Sequence, residues 1–399
     1  MKQNESIVLV TINGKDAPGI VSAMTQVIAR ANIRILDIEQ VVIHNTIILS
    51  ILMDFYQDSA EQKPVLKELL FEAKRLNLNM DFSVLSDSDF SLRSTKSTYA
   101  ITCVGEDISA QVLAKISSTL AKSKVNIEKI GKLSEGKLKC VEMIANAASE
   151  AGISQLRKEL LHLSSDYPVD ISLQKENIYR KAKRLVIMDL DSTLIQMEII
   201  DELAKLAGVG DEVANITRAC MGGELDFTEA LIKRVWLLKG IPLETLQQVY
   251  DNLQLMPGAK KLINILKKLG YKTGVISGGF DFFASRFKQE LGLDYAFANK
   301  LQVRDGVLTG RVLEPIIDSR KKADLLEEIA RKEAISLEQV IAIGDGANDL
   351  LMLERAGLGI AFNAQKKVRE AASHSISQRN IDSILFLLGI NEKDLADIG

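Results

Sequence analysis

At 399 residues the chain exceeds one ordinary core, so two or three domains are expected. Hydrophobic residues at 47% and charged residues at 26% suit a soluble globular protein, and a net charge of −3 leaves no basic footprint for nucleic acid. Three histidines (His44, His162, His374) speak against Ser-His-Asp or multi-histidine metal chemistry. Cys103, Cys140 and Cys220 are too scattered for a metal motif and suit a reduced protein. No signal-like opening and no long apolar run are present, so a cytoplasmic protein without membrane contact is expected.

Residues 6–12 read as a strand, followed by Gly14-Lys15-Asp16-Ala17-Pro18-Gly19. Ile20, Met24, Val27 and Ile28 then recur at helical spacing, with Pro18 near the first turn. Two strands, 33–43 and 46–55, meet at His44-Asn45; a helix over 64–76 and a strand over 80–85 complete a β-α-β-β-α-β order. Residues 87–96 are polar and read as a linker, after which the order returns. Strand 98–104, the helical stripe Val112, Ile116, Leu120, strands 125–133 and 137–145, helix 152–163 and strand 169–173 make the second copy. Thr11/Thr102, Gly14/Gly105 and Asp16/Asp107 lie 91 residues apart, and Asn32/Asn126 lie 94 apart.

Each copy (1–86 and 97–173) resembles an ACT domain, a small-molecule-sensing module of amino-acid-pathway enzymes. That resemblance implies a ferredoxin-like fold, an amino-acid effector such as L-serine, and pairing into a homodimer. The first copy carries the D-x-P-G turn, Asp16 to Gly19, as the candidate effector site; the second has Asp107-Ile108-Ser109-Ala110 there. Backbone N–H groups at such a helix start can receive a carboxylate, and Gly19 leaves space for it. The alternative is that both copies are structural or dimerising.

Residues 174–183 form a linker, within a stretch, Lys175 to Arg184, holding five basic residues in ten. A solvated helix between domains is the favoured reading over a nucleic-acid patch. Next comes Val186-Ile-Met-Asp-Leu-Asp-Ser-Thr-Leu-Ile195, a short apolar strand ending in Asp189 and Asp191. Two carboxylates so close oppose joint ionisation unless a cation or a proton sits between them. The pattern is helical from about 198 to 255, a small cap inserted after the acidic loop. Helix 258–269, strand 272–276 ending at Ser277-Gly278-Gly279, helix 281–291, a hairpin over 296–303 and 307–312, and helix 319–332 follow. A second acidic turn, Gly344-Asp345-Gly346-Ala347-Asn348-Asp349, ends strand 340–343, and strand 358–361 is the last one read. Alternating strands and helices argue a parallel, doubly wound sheet, whose ligands gather at the carboxyl ends of the strands. Oxygen-only ligands suit Mg²⁺ rather than zinc.

D-L-D-S-T-L, Ser277-Gly278-Gly279, Lys322 and G-D-G-A-N-D together resemble the haloacid dehalogenase-like phosphatases, and 184 to about 390 more closely the phosphoserine phosphatases. The resemblance implies one catalytic domain, 184–399, acting on O-phosphoserine. Asp189 would be the nucleophile and Asp191 the acid and base, with Lys322, Ser277, Gly278 and Asn348 around the phosphate. Asp189, Asp345 and the Asp191 carbonyl would hold Mg²⁺, with Asp349 behind them orienting Lys322 or metal-bound water. Glu198 falls on the substrate ammonium, Arg234 on its carboxylate, and Met221 and Phe227 on an apolar lid. The alternatives are activity on another small phosphomonoester such as phosphohomoserine, or an amino-acid sensor with an inert catalytic domain.

Overall fold

The computed structural model describes residues 5–56, 64–86, 97–147 and 149–398, so the linker expected at 87–96 lies outside the described residues. Two compact units divide at residues 95 and 96.

In the first unit, β1 (Glu5–Lys15), α1 (Ile20–Arg30), β2 (Arg34–Ile43), β3 (Thr46–Tyr56), α2 (Val65–Arg75) and β4 (Asn79–Leu85) follow the expected order. Their antiparallel sheet runs β2-β3-β1-β4. Alternation sends Val10, Ile12, Leu49, Ile51 and Met53 to one face, where Met24, Ile28 and Leu69 of the helices cover them. His44 and Asn45 both take left-handed φ angles, 43° and 67°, as a two-residue hairpin matching strand twist demands. The opposite face leaves Val41 and Ile43 more than half exposed.

The second unit begins with the same topology: β5 (Ser97–Gly105), α3 (Ala110–Lys122), β6 (Val125–Glu135), β7 (Lys139–Ala147), α4 (Ile153–Asp166) and β8 (Val169–Lys175), in sheet order β6-β7-β5-β8. Its outer sheet face is covered. Val104 and Cys140 belong to the same apolar cluster as the core of the domain that follows. Asp170 accepts from Ser377 N–H and Gln378 Nε2, both at 2.9 Å, and Gln174 donates to the Leu387 carbonyl at 3.0 Å.

The stretch expected to be a solvated linker helix is instead a packed joint. It holds one turn, α5 (Ile178–Lys181), and buries Arg180 and Lys183 at 2% and 6% exposure. Arg180 forks between Glu142 (2.5 Å) and Glu176 (2.6 Å), while Lys183 donates to the Glu338 carbonyl. A basic run looks solvated when its partners lie far away in sequence, as Glu142 and Glu338 do here.

The large sheet contains β9 (Leu185–Met188), β10 (Lys272–Phe280), β11 (Tyr295–Arg304), β12 (Val307–Leu313), β13 (Val340–Gly344), β14 (Leu358–Phe362) and β15 (His374–Ile376). Its order is β12-β11-β10-β9-β13-β14-β15, parallel except for the β11–β12 hairpin. Four consecutive buried residues let β9 sit in the middle, with β10 on one side and β13 on the other. The chain order therefore reverses at β9, which opens a crevice at its carboxyl end. The cap comprises α6 (Ile199–Ala207), α7 (Gly210–Met221), α8 (Phe227–Leu237) and α9 (Leu243–Asn252). Its two strands of connection are tied at the base, where Met256 N–H donates to the Leu194 carbonyl at 2.8 Å.

Helices α10 (Ala259–Lys268), α11 (Asp281–Leu291), α12 (Ser319–Lys332) and α13 (Leu350–Arg355) complete the layers. The sequence reading stopped short of β15 and of α14 (Lys366–Ala371), α15 (Ile384–Leu387) and α16 (Glu392–Ile398). In α16 the Glu392 carboxylate returns to the second ACT-like unit, accepting from Ser134 Oγ at 3.2 Å and Glu135 N–H at 3.1 Å. No helix among the described residues is long and apolar enough to cross a membrane.

Candidate active site

The two acidic turns of the sequence meet because β9 and β13 are neighbours in register. Asp189 N–H donates to the Ile343 carbonyl at 2.8 Å, extending the strand pairing one step to the sheet edge. Its carboxylate, 6% exposed, thereby stands beside the loop after β13. Carboxylate oxygens of Asp189, Asp345 and Asp349 lie within 4.8 Å of one another. Lys322, the fourth residue of α12, reaches into this cluster fully buried, its Nζ 2.8 Å from Asp189 Oδ2 and 2.7 Å from Asp349 Oδ1. The other oxygen of Asp349 accepts from Gly346 N–H at 3.0 Å. Thr193 Oγ1 donates to Asp345 at 2.7 Å.

The electrostatics follow from that count. One ammonium faces three carboxylates, those of Asp189 and Asp349 buried and that of Asp345 partly so, and the cluster keeps an excess of negative charge. Burial, then the charge of Asp349, raises Asp189 well above the usual carboxylate range and pushes Asp345 up to about 7. Burial alone would lower Lys322, but Asp189 and Asp349 outweigh it and hold the ammonium above its ordinary value. An all-oxygen donor set with an unbalanced negative charge fits a hard divalent cation, and Asp189, Asp345 and Asp349 are the side chains that could hold or support one.

Asp191 faces the other side of the crevice. Its Oδ1 accepts from Ile199 N–H, the first residue of α6, at 2.9 Å, and its Oδ2 from Ser277 Oγ at 3.3 Å. Burial, then the neighbouring charge of Glu198, pushes it up to about 7. Ser277, at the end of the buried part of β10, also accepts from Gly279 N–H at 2.8 Å. Gly279 has to be glycine, since a Cβ there would come within 2.5 Å of Asp191 Oδ2. The same holds at Gly278, where a Cβ would meet the Phe227 ring at 2.7 Å. Phe227 therefore lies directly over Gly278, with the Asn348 amide nearby.

The cap supplies the remaining candidates. Glu198 precedes α6 and accepts from Ser192 Oγ at 2.6 Å. Arg234 is partly buried, with Nη1 3.4 Å from Thr217 Oγ1 and Nε 3.3 Å from the Ala230 carbonyl. Burial lowers its guanidinium, against the raising pull of Glu198, Asp201 and Asp191. Met221, at the end of α7, is 58% exposed. The structure thus brings together Asp189, Asp191, Ser277, Gly278, Lys322, Asp345, Asn348, Asp349, Glu198 and Phe227, with Arg234 within electrostatic reach of Glu198 and Asp191.

Three supporting residues escaped the sequence reading. Thr193 holds Asp345, Thr217 holds Arg234, and Asn299 ties two loops by donating to the Gly278 carbonyl (2.9 Å) and accepting from Ile317 N–H (2.7 Å). An asparagine inside a strand-like run is the one signal that could have marked Asn299.

Comparisons with known proteins agree on the organisation. The profile of haloacid dehalogenase-like hydrolases matches residues 183–357, and ACT-domain profiles match residues 6–83 and 97–174. The chain is 37% identical to phosphoserine phosphatase SerB2 of Mycobacterium tuberculosis, over 98% of this chain and 96% of that one. It is 39% identical to a phosphoserine phosphatase of Streptomyces coelicolor, over 97% and 93% of the two chains. A haloacid dehalogenase family hydrolase from Salmonella enterica serovar Typhi superposes with a TM-score of 0.64 at 31% identity, covering 72% of this chain and 98% of its own. With its acidic crevice between β9 and β13 and two ACT domains ahead of it, the chain belongs to the phosphoserine phosphatases of the haloacid dehalogenase-like hydrolases.

Proposed function

We propose that the chain hydrolyses O-phospho-L-serine to L-serine and phosphate through an aspartyl-phosphate on Asp189, with Mg²⁺ as cofactor. The observation that carries this reading is the buried meeting of Asp189, Asp345, Asp349 and Lys322 at the carboxyl ends of adjacent strands. Mg²⁺ in the oxygen cluster, with Asp189, Asp345 and the Asp191 carbonyl as ligands, would offset the charge of the phosphate. Asp189 attacks phosphorus while the serine alkoxide departs. Asp191, poised near neutrality, gives that alkoxide its proton and then takes one from the water that opens the acyl phosphate. Lys322 and Asn348 hold phosphate oxygens, Ser277 supplies a hydroxyl donor, and Gly278 lets the backbone come close. Asp349 keeps Lys322 aimed at Asp189.

Substrate choice rests on the cap, with Glu198 taking the ammonium and Arg234 the carboxylate by its planar fork. Phe227 and Met221 form the apolar lid. Domain limits of 1–86, 97–173 and 184–399, joined through the packed segment 174–183, suit this division of labour. In the regulatory part, Asp16 and Gly19 form the effector turn for L-serine, and the ACT domains pair into a homodimer. Three free cysteines, two of them buried, support a reducing, cytoplasmic setting.

The test is turnover of O-phosphoserine by metal-stripped protein with and without added Mg²⁺. Activity restored by Mg²⁺ and abolished in Asp189→Asn is expected; full turnover in metal-free buffer, or more than trace turnover in the folded variant, would remove the mechanism. Arg234→Ala is expected to cripple phosphoserine while sparing phosphoethanolamine, which has no carboxylate.

A further inference from the structure

The joint between the second ACT domain and the catalytic domain forms a pocket of about 170 Å³, partly open to solvent, that the phosphatase reaction does not use. That is far above the roughly 10–15 Å³ needed to admit one water. Four of its lining residues are cationic, Arg157 from α4, Lys175 from β8, and Arg180 and Lys183 from the joint; Glu338 is the one carboxylate among the lining residues. Lys175 is balanced by Glu150, and Arg180 by Glu142 and Glu176. Arg157 and Lys183 have no such partner. Among the described residues neither forms an ion pair; Lys183 has only the Glu338 carbonyl, and Arg157 only the Leu173 carbonyl at 3.5 Å. Buried Nε groups of Arg157 and of Arg180, itself 98% buried, make no hydrogen bond at all.

Leaving two cations and two guanidinium N–H groups unmatched in a shared cavity is costly unless something anionic matches them. The charge state of the surroundings agrees. Burial drags the Lys183 amine down to about 8, and the charge of Glu338 offsets this only in part. His374, also lining the cavity, is pushed by burial and then by Arg157 down to about 4, so it adds no positive charge at neutral pH. Arg157 offers a planar fork, Arg180 its Nε–H, Lys183 a point charge and Ser373 a hydroxyl, a donor set suited to the several oxygens of a phosphate group.

We propose that this cavity is a second phosphate-group site, held by Arg157 and Lys183 with the Arg180 Nε–H as a further donor, and distinct from the catalytic crevice. Lys183 leads into β9, Glu338 into β13 and Gly357 into β14, so the cavity lies at the amino ends of the parallel strands. Asp189 and Asp345 stand at their carboxyl ends, a strand length of four to five residues, or roughly 15 Å, away. Occupancy would bind the second ACT domain to the catalytic domain by neutralising charges that both contribute.

The test compares the full chain with its Arg157→Gln/Lys183→Gln variant, titrated with inorganic phosphate, methyl phosphate and acetate at matched ionic strength. Calorimetry is expected to give two phosphate events in the wild type, one of which weakens at least tenfold in the variant. Inhibition of turnover by phosphate, which reads the catalytic crevice, is expected to be unchanged. Tight binding of either phosphate or methyl phosphate at the second site supports the proposal and tells whether the group is free or esterified. Identical titrations in both proteins, or acetate binding as well as phosphate, would overturn it. Should the double variant not fold, Arg157→Lys keeps the charge and removes the fork; unaltered phosphate affinity in that variant overturns the proposal equally.

Discussion

The two ACT domains share a topology and differ in what they do with the outer face of the sheet. The first leaves Val41, Ile43 and Ile48 open on that face. The second buries polar residues there, Thr102, Asp170, Ser172 and Gln174 among them, against the catalytic domain. They also begin their first helices differently. In the first, Gly19 precedes α1 at φ 97° and no side chain caps the free N–H groups. In the second, Ser109 caps α3 itself by accepting from Val112 N–H. One copy thus keeps a helix start and a sheet face available, while the other has spent both on internal contacts. Duplication of a module does not duplicate its role.

The strongest way to break this contrast is truncation. Removing residues 1–95 is expected to leave phosphoserine turnover and the melting temperature of the remainder largely unchanged. Removing residues 1–175 uncovers Leu387, His374 and the apolar surface matched by Val104 and Cys140. Each large apolar side chain exposed costs about 1.5–3 kcal/mol. At about 2–4 °C per kcal/mol for a domain of this size, a drop on the order of 10 °C is expected by calorimetry. Equal melting temperatures for the two truncations would show the second domain to be as dispensable as the first.

A smaller effect comes from pH. His374 hangs between the carbonyls of Gly359 and Leu173, 3.2 Å from each, and is held down at about 4 by burial. Its folded value lies below the unfolded one, so the unfolded chain binds the extra proton between about 6.5 and 4. Stability from this group is therefore complete above about 6.5 and declines as pH falls, by up to about 1.4 kcal/mol per pH unit. Urea unfolding of wild type and His374→Gln at pH 7.5 and 5.5 isolates the term from the carboxylates, which titrate in both. A pH response equal in the two proteins would remove it.

The smallest effects sharpen the contrast at the helix starts. Gly19→Val places a branched residue at positive φ, a strain of about 1–2 kcal/mol. Ser109→Ala loses a cap worth about 1 kcal/mol. The stabilities should fall alike, yet only Gly19→Val is expected to abolish the response to serine at concentrations too low to fill the active site. Loss of that response in Ser109→Ala would assign both domains to sensing.

Much of this was legible in the sequence because the relevant signals are local. Alternating strands, the 91-residue recurrence and the His44-Asn45 turn fix two β-α-β-β-α-β units, and the apolar runs ending in Asp189 and Asp345 mark where a parallel sheet opens. What stayed hidden depends on remote partners. A three-residue strand such as β15 carries no periodicity and exists because β14 pairs with it. Arg180 and Lys183 read as solvated because Glu142 and Glu338 are distant in sequence. Thr193, Thr217 and Asn299 are common residue types whose work is visible only once Asp345, Arg234 and Gly278 stand beside them.

The return of Glu392 to Ser134 and Glu135 bears on how the chain matures during translation. Domains generally fold from the N-terminus as they leave the ribosome, at about 5–20 residues per second. The apolar cluster of the first ACT domain is built from that domain's own residues, so it can close early. The second cannot finish, because one of its contacts spans 257 residues, or roughly 13–50 s of synthesis at that pace. During that interval its covered sheet face is open to solvent, and the nascent second domain, rather than the first, is the segment expected to need chaperone protection.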